Sequence, residues 1–176
     1  MFKTSLHFKK FYLYYLIILI IIYPASPILF DFFLRIKEPV FLSPIAATGP
    51  LIIRCDSYGD GHFNARRGNG TRKHKGLDLS APVGAPVYAP KSGIAKTGCV
   101  VTGMGKYVKI IHPGGYSTMH GHLSKITVKD NQWVWQGAKI GEVGKTGNAN
   151  YKRLNPHLHF EIRYKNEHLD PSKYIR

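Results

Sequence analysis

From Leu51 to the C-terminus the chain is punctuated by glycine and proline: Gly59, Gly61, Gly68, Gly70, Pro82, Gly84, Pro86, Pro90 and Gly93 follow in quick succession. Inside a helix, glycine is less favourable than alanine by about 1 kcal/mol and proline by about 3 kcal/mol. No stretch of this region repeats its apolar residues at a helical period. Such a chain is expected to form short strands joined by turns. The strand candidates are Val83–Ala89, Gly93–Thr102, Lys106–His112, Tyr116–His122, Lys139–Val143 and His157–Tyr164, all rich in the Val, Ile and Tyr that strands favour. Pro113-Gly114-Gly115 between two of them is a hairpin-turn signal. The fold class is therefore mainly β, a compact antiparallel sheet or sandwich-like domain over residues 51–176.

The first fifty residues are of another kind. Lys3, Lys9 and Lys10 precede a charge-free run, Phe11 to Phe30, close to the ~20 residues that cross a bilayer as a helix. The preceding positive charge places the N-terminus in the cytoplasm and the remainder outside, in the periplasm or extracellular space. Residues 1–30 are thus expected to be one N-terminal transmembrane helix, a single-pass anchor in the cytoplasmic membrane. The competing reading is a cleaved signal peptide with its apolar core at Leu13–Ile22, which would give a secreted protein. Pro27 directly after Ala25-Ser26 disfavours cleavage there. Residues 31–50, interrupted by proline, read as a linker.

The formal net charge is +15, and 20 of the 25 Lys+Arg lie after residue 50. So basic a surface suits anionic partners such as nucleic acid, acidic lipid or cell-wall polymer, and also simply aids solubility. Export and the absence of a recognition motif argue against nucleic acid. Cys55 and Cys99 do not form a CxxC pair, which excludes a zinc ribbon or a thioredoxin-type motif. In an exported domain they are either one disulfide or two free thiols. Gly144-Lys145-Thr146 resembles the end of a phosphate-binding loop, but position 139, where the motif needs glycine, is lysine.

The chemistry is concentrated in the histidines. In His74-Lys-Gly-Leu-Asp78, a histidine and a carboxylate offer the nitrogen and oxygen donors that zinc uses in hydrolytic sites. Gly76 argues against a helix there, so His74 falls on a loop and Asp78 at the start of an extended segment. In HLHFEIR, strand alternation turns Leu158, Phe160 and Ile162 to the core and His157, His159, Glu161 and Arg163 to the other face. The bland alternative is the exposed polar face of an edge strand. In MHGHLS, His120 and His122 share a face if the strand continues through Gly121, and one of them is expected to reach the same cleft. His112 and His168 adjoin turn residues and read as surface or turn histidines. His62 lies in a glycine-rich loop next to the expected cleft and reads as structural rather than functional, and His7 precedes the membrane segment.

The order HKGLD, GHLS, HLHFE resembles the lysostaphin-like zinc metallopeptidases, the M23 family of LytM-type peptidoglycan endopeptidases. The intervening APVGAPVYAPKSGIA, GKYVKIIHPGGYSTMHGHLSK and VWQGAKIGEVGKTG resemble it too, so that the likeness runs from His62 to the closing LDPSKYI. It implies a LytM-type fold, one zinc ion per chain held by His74, Asp78 and His159, and His122 and His157 as catalytic residues that do not bind the metal. Three protein ligands leave a fourth tetrahedral position open, as a catalytic zinc site requires. It further implies an endopeptidase cutting the cross-links or stem peptides of bacterial peptidoglycan, with peptidoglycan and the membrane as partners. A catalytically silent regulator or wall-binding module on the same fold is the alternative, and the intact set of five residues distinguishes the two. His120, where the family often has an aromatic residue, and the long basic NANYKRLNP segment depart from the pattern and bear on substrate preference. Oligomeric state and the bond cut are not written in the sequence.

Overall fold

The computed structural model describes Tyr14 and residues 26–46, 49–68 and 70–175. The chain divides into two compact units, Met1–Lys37 and Glu38–Arg176. In the first, residues 26–37 are helical, with Asp31 and Arg35 paired one turn apart. Most of the apolar run Phe11–Phe30 lies outside the described residues. Among those described, no helix is long and apolar enough to cross a membrane; the expected transmembrane helix falls mostly outside them.

The second unit is antiparallel β throughout its main sheet, as expected. Two small hairpins come first: β1 (Cys55–Asp56) with β2 (Gly59–Asp60), and β3 (Arg66–Arg67) with β4 (Arg72–Lys73). The main sheet consists of β5 (Leu77–Ser80), β6 (Pro86–Tyr88), β7 (Gly93–Cys99), β8 (Lys106–Ile111), β9 (Tyr116–Ile126), β10 (Trp133–Val134), β11 (Lys139–Val143), β12 (His157–Tyr164) and β13 (Glu167–Leu169). Its order is β10-β7-β8-β9-β11-β6, with β12, β5 and β13 branching from β9. All six expected strands are present, and Pro113–Gly115 turns β8 into β9.

The branch determines everything nearby. One edge of β9 carries β8; along the other, residues 116–121 pair with β12 and residues 123–126 with β11. His122 stands at the fork. Its φ is +64°, the left-handed region that non-glycine residues seldom enter, and the β8–β9 register shifts beside it. The kink breaks the alternation that the sequence suggested. His120 and His122 do not share a face: His120 is 0% exposed in the core against Phe160, and His122 turns into a cleft.

Leu77, Leu79, Val87, Val108, Ile110, Leu123, Ile140, Leu158, Phe160 and Ile162 fill the core. At about 1.5–3 kcal/mol per buried side chain of this size, they dominate the stability. They are joined by a stretch read from the sequence as linker. Phe41 and Ile45 are buried in the same cluster, bridging to Ile175 and Val87. Phe41 meets the rings of His112, Tyr116 and Tyr174 edge-on. Buried Glu38 accepts hydrogen bonds from the Ser92 amide at 2.8 Å and its hydroxyl at 2.5 Å, and Gln136 donates to the Val40 carbonyl at 3.0 Å. Pro39 and Pro44 punctuate the segment without releasing it from the domain.

His112 is not a surface histidine. It is 4% exposed, its Nδ1–H donates to the Ser92 carbonyl, and its Nε2 accepts from Thr118. Burial pushes its pKa down to about 4. The two cysteines are exposed free thiols.

Two outcomes are expected. Phe41→Ala should destabilise the domain by about 3–5 kcal/mol, read by urea unfolding. Because the folded-state pKa of His112 lies below its unfolded value of about 6.5, its neutral form stabilises the fold above pH 6.5. That stability is lost as pH falls towards 4, by on the order of 3 kcal/mol. Urea midpoints should therefore drop over this window, and less steeply in His112→Asn.

Candidate metal centre

Strand β12 lies between β5 and β9, so both its edges are paired and the edge-strand alternative fails. Leu158, Phe160 and Ile162 enter the core; His157, His159 and Glu161 face a cleft of about 720 Å³. In the register of β12 with β5, His159 stands opposite Asp78. His74 arrives from the loop before β5, as expected. His122 projects from the fork of β9. The five residues expected to form the site thus converge on one cleft.

Among the described residues, His74, Asp78 and His159 form a group able to hold a metal ion. His74 Nε2 lies 3.1 Å from His159 Nδ1 and 3.1 Å from Asp78 Oδ1, and the last two are 2.8 Å apart. Donors about 2.0–2.1 Å from a tetrahedral zinc are separated by roughly 3.3 Å. The two nitrogens and one oxygen therefore fit zinc in kind and, with a slight expansion, in spacing.

Their orientation is fixed from behind. His74 Nδ1–H donates to the His62 carbonyl at 2.9 Å, leaving the Nε2 lone pair towards the cluster. It is the backbone of His62 that serves the site, since its ring pairs with Asp60. His159 Nε2 donates to Glu161 Oε1 at 3.1 Å, and Arg163 holds Glu161 Oε2 through Nε and Nη2. A carboxylate behind a histidine in this way would orient it as a metal ligand. His168 is not a plain surface residue either: it lines the cleft, 3.6 Å from Glu161.

Burial acts on all these groups, and their partners decide the outcome. Burial disfavours charge on His159, yet hydrogen bonds to Asp78 and Glu161 outweigh it and raise its pKa to about 9. Burial likewise opposes ionised Glu161, but the hydrogen bond from His159, with Arg163 behind it, brings it down to about 2. Asp78 is held well below the ordinary carboxylate range by His159 and His74 against its own burial.

The Nδ1 atoms of His122 and His157 meet carbonyls, while His157 Nε2 lies 3.9 Å from Asp78 Oδ1. His122 Nδ1–H donates to Thr146 O at 2.9 Å and His157 Nδ1–H to Asn155 O at 2.8 Å. Since a carbonyl can only accept, each ring keeps an unprotonated Nε2 facing the cleft. Burial, aided by His159 and His157, takes His122 down to about 3; burial also lowers His157. The rings are 5.1 Å apart. The carbonyl under His122 is placed by a close backbone approach at Gly105 and Gly147, both at positive φ. A Cβ on Gly105 would lie 2.5 Å from Gly147 N, and one on Gly147 2.3 Å from Gly105 N.

The model of peptidase family M23 matches residues 72–171, which include all five residues. Over 110 residues, 62% of the chain, the sequence is 41% identical to the cell division protein DipM of Caulobacter vibrioides. Over 100 residues, 57% of the chain, it is 39% identical to the peptidoglycan DD-endopeptidase ShyB of Vibrio cholerae. These alignments span only 17% and 22% of the two relatives. The crystal structure of a zinc containing peptidase from Vibrio cholerae is similar at a TM-score of 0.62 and 32% identity, over 76% of this chain and 39% of that one.

With carboxylates at both ring nitrogens, His159 is held towards its protonated form, and Nδ1 would have to lose its proton to serve as a ligand. Zinc uptake at pH 7.5 should therefore release about one proton per chain. Titration calorimetry in buffers of different ionisation enthalpy measures it, and Glu161→Gln should reduce the release.

Proposed function

The chain belongs to peptidase family M23, and from that membership we propose that it is a zinc endopeptidase hydrolysing peptide cross-links or stem peptides of bacterial peptidoglycan. One observation carries the reading: three side chains able to hold a metal and two histidines whose Nδ1 atoms are bound to carbonyls share a single cleft. His74, Asp78 and His159 would hold the metal. A zinc ion there supplies Lewis acidity, polarising the scissile carbonyl and acidifying water.

The remaining work belongs to the chain. His122 and His157 are kept neutral by burial, so either Nε2 is able to accept the proton of the attacking water. The resulting imidazolium, 5.1 Å from its neighbour's ring, donates to the developing oxyanion or to the leaving amine. The Nδ1–H bonds to Thr146 and Asn155 keep both rings from flipping as protons come and go. Substrate enters a basic cleft whose rim carries Arg72, Lys73 and Lys75, suited to the carboxylates of wall peptides. We place this domain outside the cytoplasmic membrane, tethered by the Phe11–Phe30 run or released by its cleavage.

The test is metal content together with release of fragments from isolated walls. His122→Ala and His157→Ala should keep one zinc per chain and lose activity by roughly 10²–10⁴-fold. His159→Ala should lose both zinc and activity. Zinc binding without release from any wall preparation would instead favour a silent regulator.

A further inference from the structure

The two oxygens of Asp78 have different neighbours. Oδ1 faces His74 and His159, while Oδ2 accepts from Arg54 Nη2 at 2.9 Å and Arg67 Nη2 at 2.8 Å. Arg54 is buried and Arg67 partly exposed. Arg54 also reaches sideways, its Nη1 donating to Asp56 Oδ1 at 2.5 Å. The Asp56 carboxylate accepts from the Tyr58 amide at 2.9 Å and is faced by the Asn155 amide. The Asn155 carbonyl is in turn the acceptor that fixes His157. One guanidinium thus stands between a metal donor on β5 and the turn that orients a histidine of β12.

This side chain is not what builds the strand pairing around it. The Arg54 amide donates to the Asp78 carbonyl at 2.8 Å, and its carbonyl accepts from the Gly61 amide at 2.7 Å, whatever the side chain. A buried ion pair is in general weak evidence of stabilisation. Oδ2, engaged by two charge-assisted hydrogen bonds, is withheld from the cluster, so Asp78 offers a single oxygen. Both arginines precede the segment that matches the family.

We propose that Arg54 is a positioning residue, presenting Asp78 to the metal through Oδ1 alone and, by way of Asp56, setting the Asn155 turn that holds His157. The inference rests on the reading of His74, Asp78 and His159 as zinc ligands. The variants Arg54→Met, Arg54→Lys and Asp56→Asn of the full chain test it. Zinc affinity is measured by chelator competition, donor geometry by the visible spectrum of the Co²⁺-loaded protein, and kcat and KM on wall fragments.

Arg54→Met, which leaves Oδ2 held by the partly exposed Arg67 alone, should weaken zinc binding by about 10–100-fold and reduce the visible Co²⁺ bands as the loosened Oδ2 turns towards the metal. Arg54→Lys should recover part of both. Asp56→Asn should keep zinc affinity and KM but lower kcat by about tenfold or more through the displaced His157. If the variants match the wild type in affinity, spectrum and kcat while only the unfolding temperature moves, Arg54 merely supports the fold and the proposal is overturned. Should Arg54→Met fail to fold, the other two variants carry the same comparison. If the wild-type chain takes up no zinc, the ligand reading itself fails, an outcome distinct from a zinc-binding wild type with indifferent variants.

Discussion

The pairing of β5 with β12 is the constraint from which the site follows. Leu77 and Leu79 face the core from one strand, Leu158 and Phe160 from the other, and all are essentially inaccessible to solvent. Only one register buries these apolar side chains together. Because side chains alternate, that register also puts Asp78 and His159 opposite each other on the far face. A slip of one residue would send Asp78 into the core and leave a leucine beside His159. The hydrophobic effect, which has no directional preference of its own, thereby holds two metal donors 2.8 Å apart.

The site then makes opposite use of the same buried environment. His159 is gripped by Asp78 and Glu161 and readily carries charge, whereas His122 and His157 are gripped by carbonyls and stay neutral. Hydrogen-bond partners therefore set His159 apart from His122 and His157 within one cleft. His122 occupies a backbone conformation that few non-glycine residues adopt. Strain of this kind persists only where the surroundings impose it, and here the fork of β9 is what imposes it.

Legibility in the sequence followed the range of the interactions. HLHFEIR could be read residue by residue because regular alternation is a local property, and β12 keeps it from end to end. MHGHLS could not, because the kink at His122 arises where β9 exchanges one neighbour for another, which nothing within the motif signals. Glu161 was visible on the correct face, but its role depends on which nitrogen of His159 points at it. The role of Arg54 was not legible, since its partner Asp78 is 24 residues away, in a motif that does not include it. Segment 38–46 was misread because its prolines look like linker punctuation, while Phe41 and Ile45 find their partners near the opposite end of the chain and in β6. His112 was misjudged for a related reason, since its ring packs against Phe41, far away in the chain.

The bridge between Phe41 and Ile175 has an architectural meaning as well. Phe41, early in the unit, and Ile175, late in it, are joined by a parallel bridge, and the ring of Phe41 rests against that of Tyr174. Neighbouring entry and exit points make a domain modular: it can be spliced into a host loop or circularly permuted without stretching its sheet. Neither Phe41 nor Ile175 lines the cleft. A mechanical load applied at this seam would therefore meet Phe41 and the Glu38–Ser92 clasp before it reached the strands that carry the histidines.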